Sequence, residues 1–234
     1  MNEGLLNPGN PYIKQDYKNQ MGFGTFGDPH ILSLVTEVAT RALKTVWYQK
    51  WFVHRRLRPE AFGGLIHRKK NDDIDYPIDD RIIGTAVLQK IFDKYGTYLL
   101  PQAFTEGSPL HPSYGAGHAT VAGACVTILK FWFNEELKFM QPLQPNDNGT
   151  SLEPYNGPDK DDLTLGGELN KLAANIAIGR NMAGVHYRSD YTSSLLLGEK
   201  VAVGILMDQR KNYNEKFSMK FHGFDGDEIE IKNN

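Results

Sequence analysis

The stretch from His111 to Phe133 constrains this chain more than any other. A stiff, glycine-bearing loop, Ser113-Tyr-Gly-Ala-Gly117, runs directly into an apolar segment, with His118 at the junction. Glycines there let the backbone approach a ligand closely, because no Cβ stands in the way. The free N–H groups of the helix start then make a ready anion site. A histidine beside such a site can pass protons near neutral pH. By itself the pattern is more often packing than chemistry. Cations and a second reactive group have to come from elsewhere in the chain.

Composition narrows the choice of partner. The 234 residues carry 26 Lys+Arg against 28 Asp+Glu, a net charge of −2, so nothing in the overall balance favours nucleic acid. The one cysteine, Cys125, lies in an apolar run and is expected to pack as a small hydrophobe. An internal disulfide is impossible, and zinc fingers are excluded on ligand count. No run reaches the roughly 18–20 apolar residues of a membrane span. Met1 to Pro11 lacks the basic-then-apolar layout of a signal peptide. Asn7-Pro-Gly-Asn-Pro11 is turn chemistry instead, so residues 1–27 are expected to be an extended segment cut from a longer chain, with residues 28–234 forming a helical domain.

Periodicity predicts the elements of that domain. Asp28 as N-cap and Pro29 at the first helical position open a helix. Its apolar residues Ile31, Leu34, Val35, Val38, Ala42, Leu43 and Val46 recur at helical spacing to about Arg56, where Arg58-Pro59 and Gly63-Gly64 end it. A charged loop follows over 67–81, then a helix over 80–95. The focal loop and helix cover 111–136, and a proline- and asparagine-rich surface loop covers 141–162. Helices over 163–183 and 186–211 flank a break at Gly184, and Phe224 to Ile231 alternates like a short strand. The expected architecture is mainly α.

Three islands then line up. Lys50 and Arg58, with seven residues between them, would reach one pocket from a common helix. Taken singly, they read as solvated bases beside Arg55 and Arg56. The second island is Gly115-Ala116-Gly117-His118. The third is Arg180, His186 and Asp190, in which the acid, four residues on, would orient the imidazole from the same helix face. Three permanent cations, a glycine-rich helix start and two histidines are what an oxyanion site requires.

These islands resemble the signature of the superfamily that joins vanadium-dependent haloperoxidases with acid phosphatases. Within it, the chain is similar to the algal and cyanobacterial bromoperoxidases. Phosphatases of the superfamily usually have six residues between the lysine and the arginine, not seven. The stretches Leu34-Val-Thr-Glu-Val-Ala-Thr-Arg-Ala-Leu-Lys, His54-Arg-Arg-Leu-Arg-Pro-Glu-Ala, Glu106-Gly-Ser-Pro, His111-Pro-Ser-Tyr-Gly and Ala177-Ile-Gly-Arg-Asn-Met-Ala-Gly-Val-His-Tyr carry the likeness beyond the site, from about Asn10 to Phe224-Asp-Gly. The resemblance implies a helical bundle of the vanadium haloperoxidase/acid phosphatase type with a short C-terminal β segment. It implies vanadate as cofactor, with His186 as the axial metal ligand. Lys50, Arg58, Arg180 and the Gly117 backbone would hold the other oxygens, with position 116 beside them. His118 would be the acid–base group, and His111 would stand near the halide. Hydrogen peroxide, bromide or iodide, and small organic acceptors are the implied substrates, and a homo-oligomer the implied assembly. Relatives of this type are often extracellular or periplasmic.

Two departures accompany the likeness. The family usually has serine where this chain has Ala116. The lost hydroxyl forgoes one hydrogen bond to a charged oxyanion, on the order of 1.5–3 kcal/mol. Ala116→Ser is therefore expected to tighten vanadate roughly ten- to a hundredfold, read by calorimetric titration; unchanged affinity would count against the assignment. Family members also carry a further N-terminal helical half. The alternatives are a phosphatase with His186 as nucleophile, and an inactive truncated fragment.

Overall fold

The structure is a computed structural model and describes residues 3–14, 17 and 19–233. Its centre is helix α6 (Gly117–Trp132), buried on nearly every side. Helix α2 (Asp28–Tyr48) and helices α7 (Leu165–Met182) and α8 (Arg188–Gln209) pack around it. Glycines set how closely α6 and α8 approach. A Cβ on Gly123 would lie 2.4 Å from the Leu195 carbonyl oxygen, and one on Gly198 would lie 2.1 Å from that of Thr120. The two backbones therefore touch where no side chain intervenes. Thr120 and Thr127, both buried, return their hydroxyls to the carbonyls of Ala116 and Gly123 one turn back, so that neither is left unpaired.

One core runs from Leu34, Val38 and Ala42 on α2 through Ala124, Ile128 and Trp132 to Ala202 and Leu206 on α8. A hairpin of β3 (Phe217–His222) and β4 (Glu228–Asn233) closes its far end. Phe217, Met219 and Phe221 face inward, while Ser218, Lys220 and His222 face out. The expected strand is thus one arm of a pair, and Phe224 to Asp227 form its turn. A smaller hairpin, β1 (Leu143–Pro145) with β2 (Leu152–Pro154), lies inside the predicted 141–162 loop. Among the described residues, no helix is long and apolar enough to cross a membrane.

The N-terminal segment is docked rather than extended. It contains a 3-10 turn (Glu3–Leu5) and the short helix α1 (Pro11–Lys14); residues 1, 2, 15, 16 and 18 of the predicted segment lie outside the described residues. Asn7 donates its N–H to Trp132 and its amide Nδ2 to Lys220, and both Asn7 and Asn10 are buried. Gly9 lies against the backbone of β3 with no room for a Cβ. Phe26 seats itself among Trp132, Tyr213 and Phe217. The N-cap of α2 is Gly27, so Asp28 and Pro29 stand one position further in than expected.

Several helix boundaries differ from those expected. The first helix does not persist as one α-helix to Arg56. After Tyr48 it widens into a π-helical turn (Gln49–His54), and Arg55 ends it at φ 45°. Arg58 is instead the N-cap of α3 (Pro59–Asn71), extended at ψ 150° as a residue before proline must be. Pro59 thus begins a helix, and that helix extends into the expected 67–81 loop. Gly63 breaks nothing: it makes room for Leu100, whose N would lie 3.0 Å from an added Cβ. The predicted 80–95 helix is two, α4 (Asp80–Ile83) and α5 (Ala86–Tyr95), parted at Gly84.

Candidate active site

A cavity of about 540 Å³ opens at the N-terminal end of α6. Arg58, His111, Gly117, His118, Arg180 and His186 all line it, so the three islands of the sequence meet there. Leu43, Trp47, Val121, Cys125 and Ile176 make the apolar part of the wall. Trp47 also lies 5.4 Å from the His111 ring, centroid to centroid. Periodicity put Leu43 on the apolar stripe of the first helix without marking it as cavity wall, and it did not single out Trp47.

Lys50 and Arg58 converge without sharing a helix. The π-helical turn and the left-handed Arg55 bring the chain round between them. Arg58 is nearly immobilised. Its Nε donates to the His111 carbonyl at 2.8 Å, Nη1 to the Val185 carbonyl at 2.8 Å and to His186 Nε2 at 3.0 Å, and Nη2 reaches His111 Nδ1 at 3.0 Å. Lys50 is fully buried behind the glycine loop, where Nζ donates to the carbonyls of Pro112 and Ser113 at 2.6 and 3.2 Å. Ala116 is also fully buried and does not line the cavity. Its N–H donates to Ser194 Oγ at 2.8 Å, an anchor on α8 that the sequence did not reveal.

His186 precedes α8 rather than lying on it. The chain turns at Gly184, φ 81°, and Tyr187 caps the helix. Asp190 therefore does not share a helix face with His186 but reaches it through the cap. One carboxylate oxygen, Oδ2, accepts both the Tyr187 N–H and His186 Nδ1–H at 3.0 Å. The other accepts Arg56 Nη1 at 2.9 Å. Burial pushes the Asp190 carboxyl up, but hydrogen bonds from His186 and Tyr187 and the charge of Arg56 bring it below the usual carboxylate value. An ionised acid can only accept, so His186 carries its proton on Nδ1 and leaves Nε2 unprotonated, accepting from Arg58 Nη1 at the cavity wall.

Electrostatics complete the picture. Burial first, then the charges of Arg58 and Lys50, lowers His186 to about 4 despite Asp190, which leaves a neutral imidazole. Burial and the neighbouring Arg58 bring Lys50 down to about 7. His118 and His111 are both lowered by burial and by the surrounding cations. Such a site is short of negative charge. The buried Nε of Arg180 finds no hydrogen-bond partner among the described residues, and no side chain caps α6 at Ala116. Two arginines lining one cavity, with helix N–H groups that no side chain caps, fit a compact oxyanion such as vanadate or phosphate.

The fold is a helical bundle, and the site is a cavity lined by arginines and histidines at the start of its central helix. The chain belongs to the VCPO second helical-bundle domain family, whose model matches residues 31–215. It is 48% identical over 97% of its length to the vanadium-dependent bromoperoxidase of Corallina officinalis, and 39% identical over 94% to that of Ascophyllum nodosum. It spans 41% of each of those relatives. A solved homohexameric structure, the second vanadate-dependent bromoperoxidase of Ascophyllum nodosum, superposes on 95% of the chain with a TM-score of 0.85 at 34% identity, and 43% of that chain is covered.

Proposed function

We propose that this chain is the vanadate-holding part of a vanadium-dependent haloperoxidase, oxidising bromide or iodide with hydrogen peroxide to hypohalous acid that halogenates small organic acceptors. The observation that carries this reading is a neutral His186 whose unprotonated Nε2 meets Arg58 on the wall of a cavity that Arg180 and the start of α6 also line. The names and identities of the bromoperoxidase relatives support vanadate as the oxyanion.

In this reading His186 Nε2 is the ligand, and Asp190 keeps its proton on the far nitrogen. Arg58, Arg180 and the Gly117 N–H hold oxygens, while Lys50 adds charge from behind the loop. His118 is a neutral base near pH 7 and takes the proton from hydrogen peroxide as it binds. His111, held to Arg58, borders the space left for halide. Bound vanadate supplies Lewis acidity that makes a peroxide oxygen open to halide attack. The assembly proposed is a homo-oligomer, since Tyr48, Phe52 and Val53 stand exposed together at the end of the first long helix.

The deciding experiment adds orthovanadate to metal-free protein and follows bromide and iodide oxidation by hydrogen peroxide. Turnover that requires vanadate and disappears in His186→Ala supports the proposal. Folded protein that binds vanadate but hydrolyses phosphate esters, and oxidises no halide, would replace it with the phosphatase reading.

A further inference from the structure

Arg56 has no part in the scheme above, yet it touches the site's framework at Ser113, Tyr187, Ser189 and Asp190. Its carbonyl accepts the Ser113 N–H at 2.9 Å, where the glycine loop begins. Its Nη1 donates to Asp190 Oδ1 at 2.9 Å and to Ser189 Oγ at 2.8 Å. The guanidinium lies over the Tyr187 ring, 4.4 Å from its centroid. The Arg56 side chain is 42% exposed, whereas Asp190 is fully buried, so the cation closes the site from outside while the acid works within.

We infer that Arg56 is a positioning residue for His186: by pinning Oδ1 of Asp190 it commits Oδ2 to the imidazole and fixes the tautomer that leaves Nε2 unprotonated beside the cavity. Without that anchor, Asp190 is held on Oδ2 alone, by His186 and the Tyr187 N–H. The carboxylate is then free to rotate, and a buried charge loses its counter-ion. The planar guanidinium matters as much as the charge. Its Nη1 bonds both Ser189 and Asp190 while the plane lies over Tyr187, a placement that a lysine ammonium on a flexible stem does not fix. The inference rests on the proposed function only for the identity of the anion.

The test uses protein labelled with 15N-histidine, free of vanadate, with His186→Gln assigning the signal. In the parent protein His186 is expected to show a protonated Nδ1 and a bare Nε2. In Arg56→Ala a mixture of tautomers should appear, and the dissociation constant for orthovanadate by calorimetry should rise roughly 10–100-fold. Arg56→Lys keeps the charge without the planar group over Tyr187. It should show the same mixture with a smaller loss of affinity, and it gives the same readings should Arg56→Ala fail to fold. A parent-like tautomer in these variants overturns the inference, whether or not affinity falls. A changed tautomer in a protein whose parent binds no vanadate would leave the inference standing and remove the proposed function instead.

Discussion

Lys50 and His186 are basic groups held below their ordinary values by burial, and each makes a different prediction. Lys50, brought down to about 7, is partly neutral at mildly alkaline pH in the anion-free protein. A bound oxyanion favours the ammonium, so binding near pH 8 should take up protons. Calorimetric titrations in two buffers of different ionisation enthalpy read this directly, and the buffer dependence should largely vanish in Lys50→Met. His186 affects stability. Its ordinary value is 6.5 and its folded value about 4, so between them the unfolded chain binds the extra proton. Its contribution is intact above pH 6.5 and declines as pH falls toward 4. Urea denaturation at pH 7 and pH 5 should show a smaller acid loss in His186→Gln than in the parent. Both residues could be found from the sequence because cations, glycines and histidines of fixed spacing imply an oxyanion. Arg56 and Ser194 could not. Arg56 stands in a run of bases with nothing to mark it, and Ser194 acts on a backbone N–H 78 residues away.

At the level of elements, long helices with one apolar stripe were legible: α2 begins and α7 runs close to where periodicity put them. Their ends were not, because a proline that stops one helix also suits the first turn of the next, as Pro59 does. Nor does spacing distinguish a pair within a helix from one built across a cap, which is how His186 meets Asp190. Strand β3 was missed, since Phe217-Ser-Met-Lys-Phe-His alternates over only 6 residues. The contact between α6 and α8 was equally hidden, though it makes the sharpest prediction at this scale. A methyl group on Gly198 would meet both the Thr120 oxygen and, at 2.7 Å, the Ala124 nitrogen, and neither is a side chain that can swing away. Gly198→Ala should therefore cost about 3 kcal/mol in urea denaturation. Because Asp190 and Ser194 ride on the same helix, it should also weaken vanadate binding. Gly204→Ala meets nothing within 4 Å and serves as the control, with stability equal to or above that of the parent.

For the whole molecule, exposed apolar side chains at the end of the first long helix predict association. Light scattering should find an assembly larger than the 26.4 kDa chain, and Phe52→Glu, at a residue 74% exposed, should shift it toward monomer without unfolding it. The docked N-terminal segment also has a practical consequence. Leu5, Asn7 and the β3–β4 hairpin all meet around the Trp132 end of α6, whereas the cavity lies at the Gly117 end. With 16 residues at about 1.5 Å each, the helix separates them by roughly 24 Å. A tether attached to the chain near either of these segments would hold the protein to a bead or an electrode with the opening of the cavity facing the bulk solution.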